Sequence, residues 1–131
     1  MDSDTRTVLA FLVAMQPVND ALGYFIELLY RRPEVKLVTT YKPQMSLSQD
    51  LGVSAELHNG AGLDFWIDLR FGDAAWQMEY SVQRHNPDEG GSHSELDFPK
   101  ETIESVSDLP KRLLAAIERL QEASATDALY R

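Results

Sequence analysis

The strongest constraint on the fold is a run of alternating apolar and polar residues in the middle of the chain. Residues 63–82 read LDFWIDLRFGDAAWQMEYSV, with an apolar side chain at every second position on each side of Gly72. Alternation with a period of two is typical of strands that bury one face. The sequence therefore predicts two antiparallel strands joined by a two-residue turn at Gly72-Asp73.

This turn predicts a register in which one face is wholly apolar. The expected pairs are Phe71 with Ala74, Leu69 with Trp76, Ile67 with Met78, Phe65 with Tyr80 and Leu63 with Val82. A slip by one residue would expose the whole set, so the assignment of faces is strongly specified. Phe65, Trp76 and Tyr80 are predicted core aromatics on this inner face.

The rest of the chain predicts helices at both ends and more strands between them. Residues 8–29 have helical periodicity interrupted by Pro17, which leaves one kinked helix or two as alternatives. Residues 35–43, 52–57 and 94–99 are predicted strands, and 44–50 a polar connection. Leu109, Leu113, Ile117 and Leu120 predict a C-terminal helix, after which residues 122–131 are expected to fray.

This order predicts a single α+β domain over residues 1–131. Terminal helices cannot serve as crossovers between parallel strands, so the strands are expected to form an antiparallel meander of about five. The N-terminal helices and the C-terminal helix are expected to pack on one face of that sheet, in two layers.

Composition narrows the function classes. The chain has 44% hydrophobic and 25% charged residues, no cysteine and a net charge of −9. The charge disfavours nucleic acid and anionic lipid and favours a basic protein partner. The acidic start MDSDTR is not typical of a secretory signal, and the apolar runs fall short of the roughly 20 residues of a membrane span.

The candidate functional surface is the opposite, outer face of the predicted sheet. We expect Glu56, Asp64, Trp66, Asp68 and Glu79 there, with Glu56 directly opposite Asp64. Like charges in that arrangement are destabilising unless they are solvated or meet a cation. Three interpretations stay open: a solvated face, a binding site for a basic partner anchored by Trp66, or a tryptophan covered by a chain terminus or another subunit.

No pattern typical of a catalytic or cofactor site stands out. His58, His85 and His93 fall in turns expected at one end of the sheet, where they could approach a carboxylate, yet their spacing is too loose for a specific zinc motif. The prediction is therefore a non-enzyme without a cofactor or metal, and the role of the three histidines stays open.

The stretch GLDFWIDLRFGDAAWQMEYSVQR followed by LDFPKETIESVSDLPKRLLAAIERL resembles immunity proteins of bacterial polymorphic toxin systems, of the contact-dependent inhibition, type VI and Rhs classes. The shared features, over about residues 51–120, are paired aromatic-rich strands, a strand ending in Phe-Pro and a capped leucine-rich helix. The resemblance implies a cytoplasmic protein that binds a cognate toxin domain. The alternative is a type III-like secretion chaperone, although those usually carry a helix between strands and none is predicted over residues 51–99.

Overall fold

The computed structural model describes residues 2–44 and 46–131. Met1, and Met45 inside the predicted polar connection, lie outside that range. The helices and strands are α1 (Ser3–Ala14), α2 (Gln16–Tyr30), β1 (Val35–Tyr41), β2 (Ser48–Leu57), β3 (Gly62–Gly72), β4 (Ala75–His85), β5 (His93–Asp97), β6 (Glu101–Ile103) and α3 (Leu109–Ala123). Short 3₁₀ turns precede and follow α3, at Val106–Asp108 and Asp127–Tyr130.

The strands form one antiparallel sheet, which confirms the predicted α+β class. Strands β1 to β5 follow one another as a meander, and β6 pairs with β4 beyond the end of β5. The chain therefore runs along β4 twice, because Phe98, Pro99 and Lys100 separate two short edge strands. Proline is suited to such an edge, where its missing N–H breaks no ladder.

The core lies between the inner face of the sheet and the helices α2 and α3. Phe65, Ile67 and Met78 are completely buried there, and Tyr80 is nearly so. From the helix side, Leu22 and Phe25 of α2 close the layer, with the rings of Phe25 and Phe65 5.1 Å apart. The expected burial of Phe65 and Tyr80 is confirmed, whereas Trp76 is only half-buried at the margin of the core.

The predicted register of the central hairpin is wrong by one turn position, although the predicted faces are right. The turn falls at Asp73-Ala74, where both residues have positive φ, of 53° and 61°. The pairs are therefore Phe71 with Trp76, Leu69 with Met78, Ile67 with Tyr80 and Phe65 with Val82. In this register Phe71 and Trp76 are direct partners, and their rings are in contact with centroids 5.1 Å apart. Moving the turn by one residue shifts each partner by two, so every side chain keeps its face.

The hairpin between β2 and β3 also differs from the prediction. The two strands are joined by a three-residue loop in which Gly60 has a φ of 92°. The side chain of Asn59 accepts a hydrogen bond from the Ala61 N–H at 2.9 Å. Leu57 N–H donates to Ala61 O across it. This tighter loop places Glu56 opposite Gly62 and Asp64 opposite Ser54, so the predicted Glu56–Asp64 pair does not form.

The N-terminal region consists of two helices separated at Met15. Pro17 stands in the first turn of α2, where its missing N–H breaks no helical bond. By length and composition, the run Ser3–Tyr30 is long and apolar enough to cross a membrane, with a mean hydropathy of 1.3 in its best window. Core helices of soluble proteins and N-terminal signals pass the same test, and α2 buries four side chains in the core.

The prediction that residues 122–131 fray is wrong. Leu129 and Tyr130 are buried, and the Arg32 guanidinium lies 3.8 Å from the Tyr130 ring centroid. Arg84 donates to the backbone carbonyls of Leu129 and Arg131. The tail is ordered by these arginines, whose side chains come from distant parts of the sequence, and a composition rich in small polar residues does not reveal them.

Candidate functional site

The outer face of the sheet carries all five predicted site residues. Asp64, Trp66 and Asp68 lie half-buried on β3, while Glu56 on β2 and Glu79 on β4 are exposed. The helices α2 and α3 cover the other face, so this side is open. The structure therefore places the five side chains on one surface.

Three of the five line a single groove. Trp66, Asp68 and Glu79 surround a space of about 400 Å³ together with Asp50 from β2 and Asp97 from the end of β5. We call this the acidic groove, meaning Trp66 with the carboxylates of Asp50, Asp68, Glu79 and Asp97. Asp64 lies one row away, and Glu56 stands apart, with its carboxylate 3.7 Å from Lys36 Nζ.

Trp66 is held in place from two sides. In its cross-strand row, Gly52 separates it from Tyr41, and the two rings meet over that glycine with centroids 4.8 Å apart. Residues two strands apart are separated by about 9.6 Å across the sheet, so the contact between the two rings depends on the missing side chain at Gly52. The indole Nε1–H donates to Ser54 Oγ at 2.8 Å. The indole is therefore fixed in orientation by a hydrogen bond and a ring contact within the chain.

The carboxylates of the groove form a like-charged row across three strands. Asp68 lies opposite Asp50 on one side and Glu79 on the other. Burial, and then the negative charge of Asp68, raise the pKa of Asp50, while Arg70 opposes the shift. The predicted like-charge pair on this face was Glu56 with Asp64, but the like charges that face one another are the three carboxylates Asp50, Asp68 and Glu79.

The cations near this row compensate it only in part. Arg70 Nε donates to one oxygen of Asp68 at 3.3 Å, and Lys100 Nζ lies 3.6 Å from Glu79. The other Asp68 oxygen, Oδ1, is buried and lies 3.1 Å from the same Arg70 Nε. The four carboxylates of the acidic groove still outnumber these two cations, which favours a cationic ligand group.

The three histidines do not converge. His85 contacts the Asp64 carboxylate, His93 Nε2 lies 2.9 Å from Glu95 Oε1, and His58 is exposed. Within the described ranges, no three histidine or carboxylate side chains approach closely enough to hold a metal ion.

The Ser54, Asp64 and His85 side chains are bonded in an order that does not activate a nucleophile. Ser54 Oγ donates to Asp64 Oδ1 at 2.6 Å, and His85 contacts the other oxygen of the same carboxylate. In a catalytic triad the imidazole lies between serine and carboxylate so that it can remove the serine proton. Here the carboxylate lies between the serine and the imidazole, so the contacts hold the three side chains in place on the outer face.

A second groove lies on the inner side, at the open end of the core. It is formed by α1, Trp76 and the start of α3, encloses about 700 Å³, and none of its lining residues carries a formal charge. No residue of α1 is buried, and Val13 is 73% exposed. We call this the apolar groove.

Sequence reasoning missed two contributors to the acidic groove and its anchor, Asp50 and Tyr41. Asp50 was assigned to the polar connection, although β2 begins at Ser48. Tyr41 ends β1 after an irregularity between Val35 and Leu37 that conceals its face. A glycine inside a strand, such as Gly52, is the signal that could have revealed the aromatic pair.

No protein-family model matches this chain, and no match was found among curated proteins or solved structures.

Proposed function

We propose that this chain is an immunity protein that neutralises a bacterial toxin domain by binding a basic surface of the toxin in the acidic groove. The observation that carries the proposal is the pre-positioned indole of Trp66 among four carboxylates on the open face of the sheet. The strand and helix pattern resembles that of immunity proteins, and this resemblance favours a toxin domain as the partner.

The geometry suits a protein partner for energetic reasons. Interface hot spots are commonly an aromatic or arginine side chain in a desolvated centre with a polar rim. Trp66 supplies the aromatic centre, and its contacts with Tyr41 and Ser54 reduce the entropy lost on binding. The surrounding carboxylates supply attraction at a distance, which raises association rates with a basic protein.

The proposal includes no catalysis, cofactor or metal, and a cytoplasmic location. Inhibition follows from occupation alone: a toxin whose basic surface is held in the acidic groove cannot present that surface to its substrate. The acidic groove is also open on the outer face of the sheet, so it lacks the exclusion of water that carboxylate catalysis requires.

The direct test is protection of cells. The toxin domain encoded next to this chain is expressed in a bacterial host with the wild-type chain or with Trp66→Ala/Asp68→Lys. We expect growth with the wild type and loss of protection with the double variant. The variant should still fold, at a cost of about 1–2 kcal/mol from the lost Tyr41 contact and Ser54 hydrogen bond.

The matched control removes one aromatic side chain and reverses one carboxylate elsewhere. Tyr24 on α2 and Glu118 on α3 are exposed, so Tyr24→Ala/Glu118→Lys changes composition and charge equally but leaves the acidic groove intact. It should protect as well as the wild type. Equal protection by all three chains would contradict the proposal.

A secretion chaperone is the second candidate. The observation in its favour is the apolar groove with the uncovered α1, because chaperones of that class work as dimers and this surface is open to a second copy. Against it, no helix interrupts the strands between Ser48 and Ile103 among the described residues. Co-expression that raises the yield and secretion of a neighbouring effector, without protection from a toxin, would favour the chaperone.

A further inference from the structure

His85 is connected to the acidic groove by a specific contact. It stands at the end of β4 opposite Gly62, and its ring lies over that glycine: a Cβ at position 62 would lie 3.1 Å from His85 Cδ2. Its Nε2 atom contacts Asp64 Oδ2. The absence of a side chain at Gly62 thus lets the imidazole lie on the outer face and reach the carboxylate.

The contact continues to Trp66 through a chain of hydrogen bonds. The second oxygen of Asp64 accepts from Ser54 Oγ at 2.6 Å, and Ser54 Oγ accepts from the Trp66 indole at 2.8 Å. Linked hydrogen bonds polarise one another, so a change of charge at one end alters the strength of the others. An imidazole and the anchor of the groove are therefore the two ends of one connected network.

We propose that His85 is a pH-sensitive positioning residue for Trp66, and that its protonation weakens docking of a cationic partner in the acidic groove. The inference rests on the proposed function. With Nε2–H donating to Asp64, an added proton binds at Nδ1 and gives an imidazolium. The positive ring cancels the charge of Asp64 toward a partner. It also draws electron density from the oxygen that accepts the Ser54 hydroxyl, so the indole is held less firmly.

The charged groups around His85 indicate that its protonation acts on the groove through Asp64. On β2, Glu56 shares the row of His85 but lies two strands away, across Gly62, and is paired with Lys36. In the loop after β4, Glu89 bonds Asn86 and lies 3.8 Å from His93. On β4 itself the outer-face neighbour of His85 is the uncharged Gln83. Among the described residues, Asp64 is the charged group that the imidazole contacts.

The first experiment follows the free protein by nuclear magnetic resonance from pH 8 to pH 5, the range in which histidine is the protein's switch. We expect the Trp66 indole N–H resonance, assigned by its loss in Trp66→Phe, to shift with the same midpoint as the His85 ring. The shift should vanish in His85→Gln, whose amide can still donate to Asp64. His58→Gln and His93→Gln are the matched controls and should keep the shift, because neither ring contacts Asp64. An indole that ignores pH in the wild type, or that still titrates in His85→Gln, overturns the inference.

The second experiment measures binding of an octalysine peptide at low salt, at pH 7.5 and pH 5.5. We expect the wild-type dissociation constant to rise about two- to ten-fold more than that of His85→Gln, as expected for one added charge near the site. An equal change in both proteins overturns the effect on docking even if the indole titrates. Neither experiment uses the toxin, so a failed protection assay would overturn only the proposed function.

Discussion

The two tryptophans of this chain lie half-buried on opposite faces of the same sheet, in surroundings of opposite character. Trp66 stands in the acidic groove, donates its indole N–H to Ser54 and is packed against Tyr41. Trp76 stands in the apolar groove beside α1, and its ring contact is Phe71. The comparison teaches that equal burial does not imply an equal role. One indole is held by a hydrogen bond and a ring contact on an acidic surface, and the other belongs to the margin of the core.

The largest expected effect on stability concerns Gly52, the glycine over which the rings of Trp66 and Tyr41 meet. Gly52 has φ of 140°, and a Cβ there would lie 2.1 Å from the Phe65 carbonyl oxygen. Gly52→Ala should lower the free energy of unfolding by about 3 kcal/mol or more, because backbone atoms must move and the conformation is strained. Urea denaturation measures the change.

The matched control for Gly52 is Gly23 in α2, where a Cβ would meet no atom within 4 Å. Gly23→Ala should raise stability by about 0.5–1 kcal/mol, since alanine is the better helix former. Similar effects of the two substitutions would show that β2 tolerates a side chain beside Trp66, and that the Tyr41 contact does not depend on Gly52.

The next effect separates the two tryptophans by stability. Trp76→Ala removes a ring that packs on the core cluster and on Phe71, and should cost about 2–4 kcal/mol. Trp66→Ala removes the Tyr41 contact and one hydrogen bond, and should cost about 1–2 kcal/mol. Chemical denaturation of both variants checks the order, and the reverse order would show that Trp66 belongs to the core.

These two residues also show what the sequence could and could not predict. Faces follow from alternation alone, because Trp66 and Trp76 have opposite parity relative to the turn, and a turn displaced by one residue leaves parity unchanged. Neighbours across strands do not follow from alternation. A turn at Gly72-Asp73 would pair Trp66 with Glu79, but the turn at Asp73-Ala74 pairs it with Ser81. The acidic groove was therefore predictable as a surface but not as a set of contacts.

The same distinction explains the two ends of the chain. The strong apolar pattern of α1 predicts a helix correctly but does not predict that none of its residues is buried. The tail has a weak local pattern, yet Arg32 and Arg84 order it through contacts across the fold. Local periodicity reports on the backbone, whereas order at a terminus depends on partners that only the tertiary structure brings near.

A smaller effect tests the charge difference between the grooves without any partner. Trp76→Phe leaves Trp66 as the chain's sole tryptophan, and Trp66→Phe leaves Trp76. At low salt, the ratio of caesium to iodide quenching should be about two- to five-fold higher for Trp66, because surrounding carboxylates attract cations and repel anions. Salt near 1 M should remove the difference by screening. Equal ratios at low salt would mean that the field of the acidic groove does not reach the indole.

The smallest effect concerns how the charge of Asp50, which lines the acidic groove with Trp66, changes the stability of the protein with pH. Burial and the charge of Asp68 raise its pKa in the folded protein above the ordinary value of 3.8. A raised pKa means that the native state binds this proton more tightly than the unfolded chain does. The stabilising contribution is thus complete below pH 3.8 and lost as pH rises through the folded pKa.

Asp50→Asn keeps the uncharged form at every pH, so the variant should be more stable than the wild type at pH 7 by less than about 0.5 kcal/mol. That advantage should shrink as the pH falls through the folded pKa of Asp50. Glu118→Gln, on an exposed face of α3, should show no such trend, and an Asp50→Asn variant less stable at pH 7 would indicate that Arg70 outweighs Asp68 in this row.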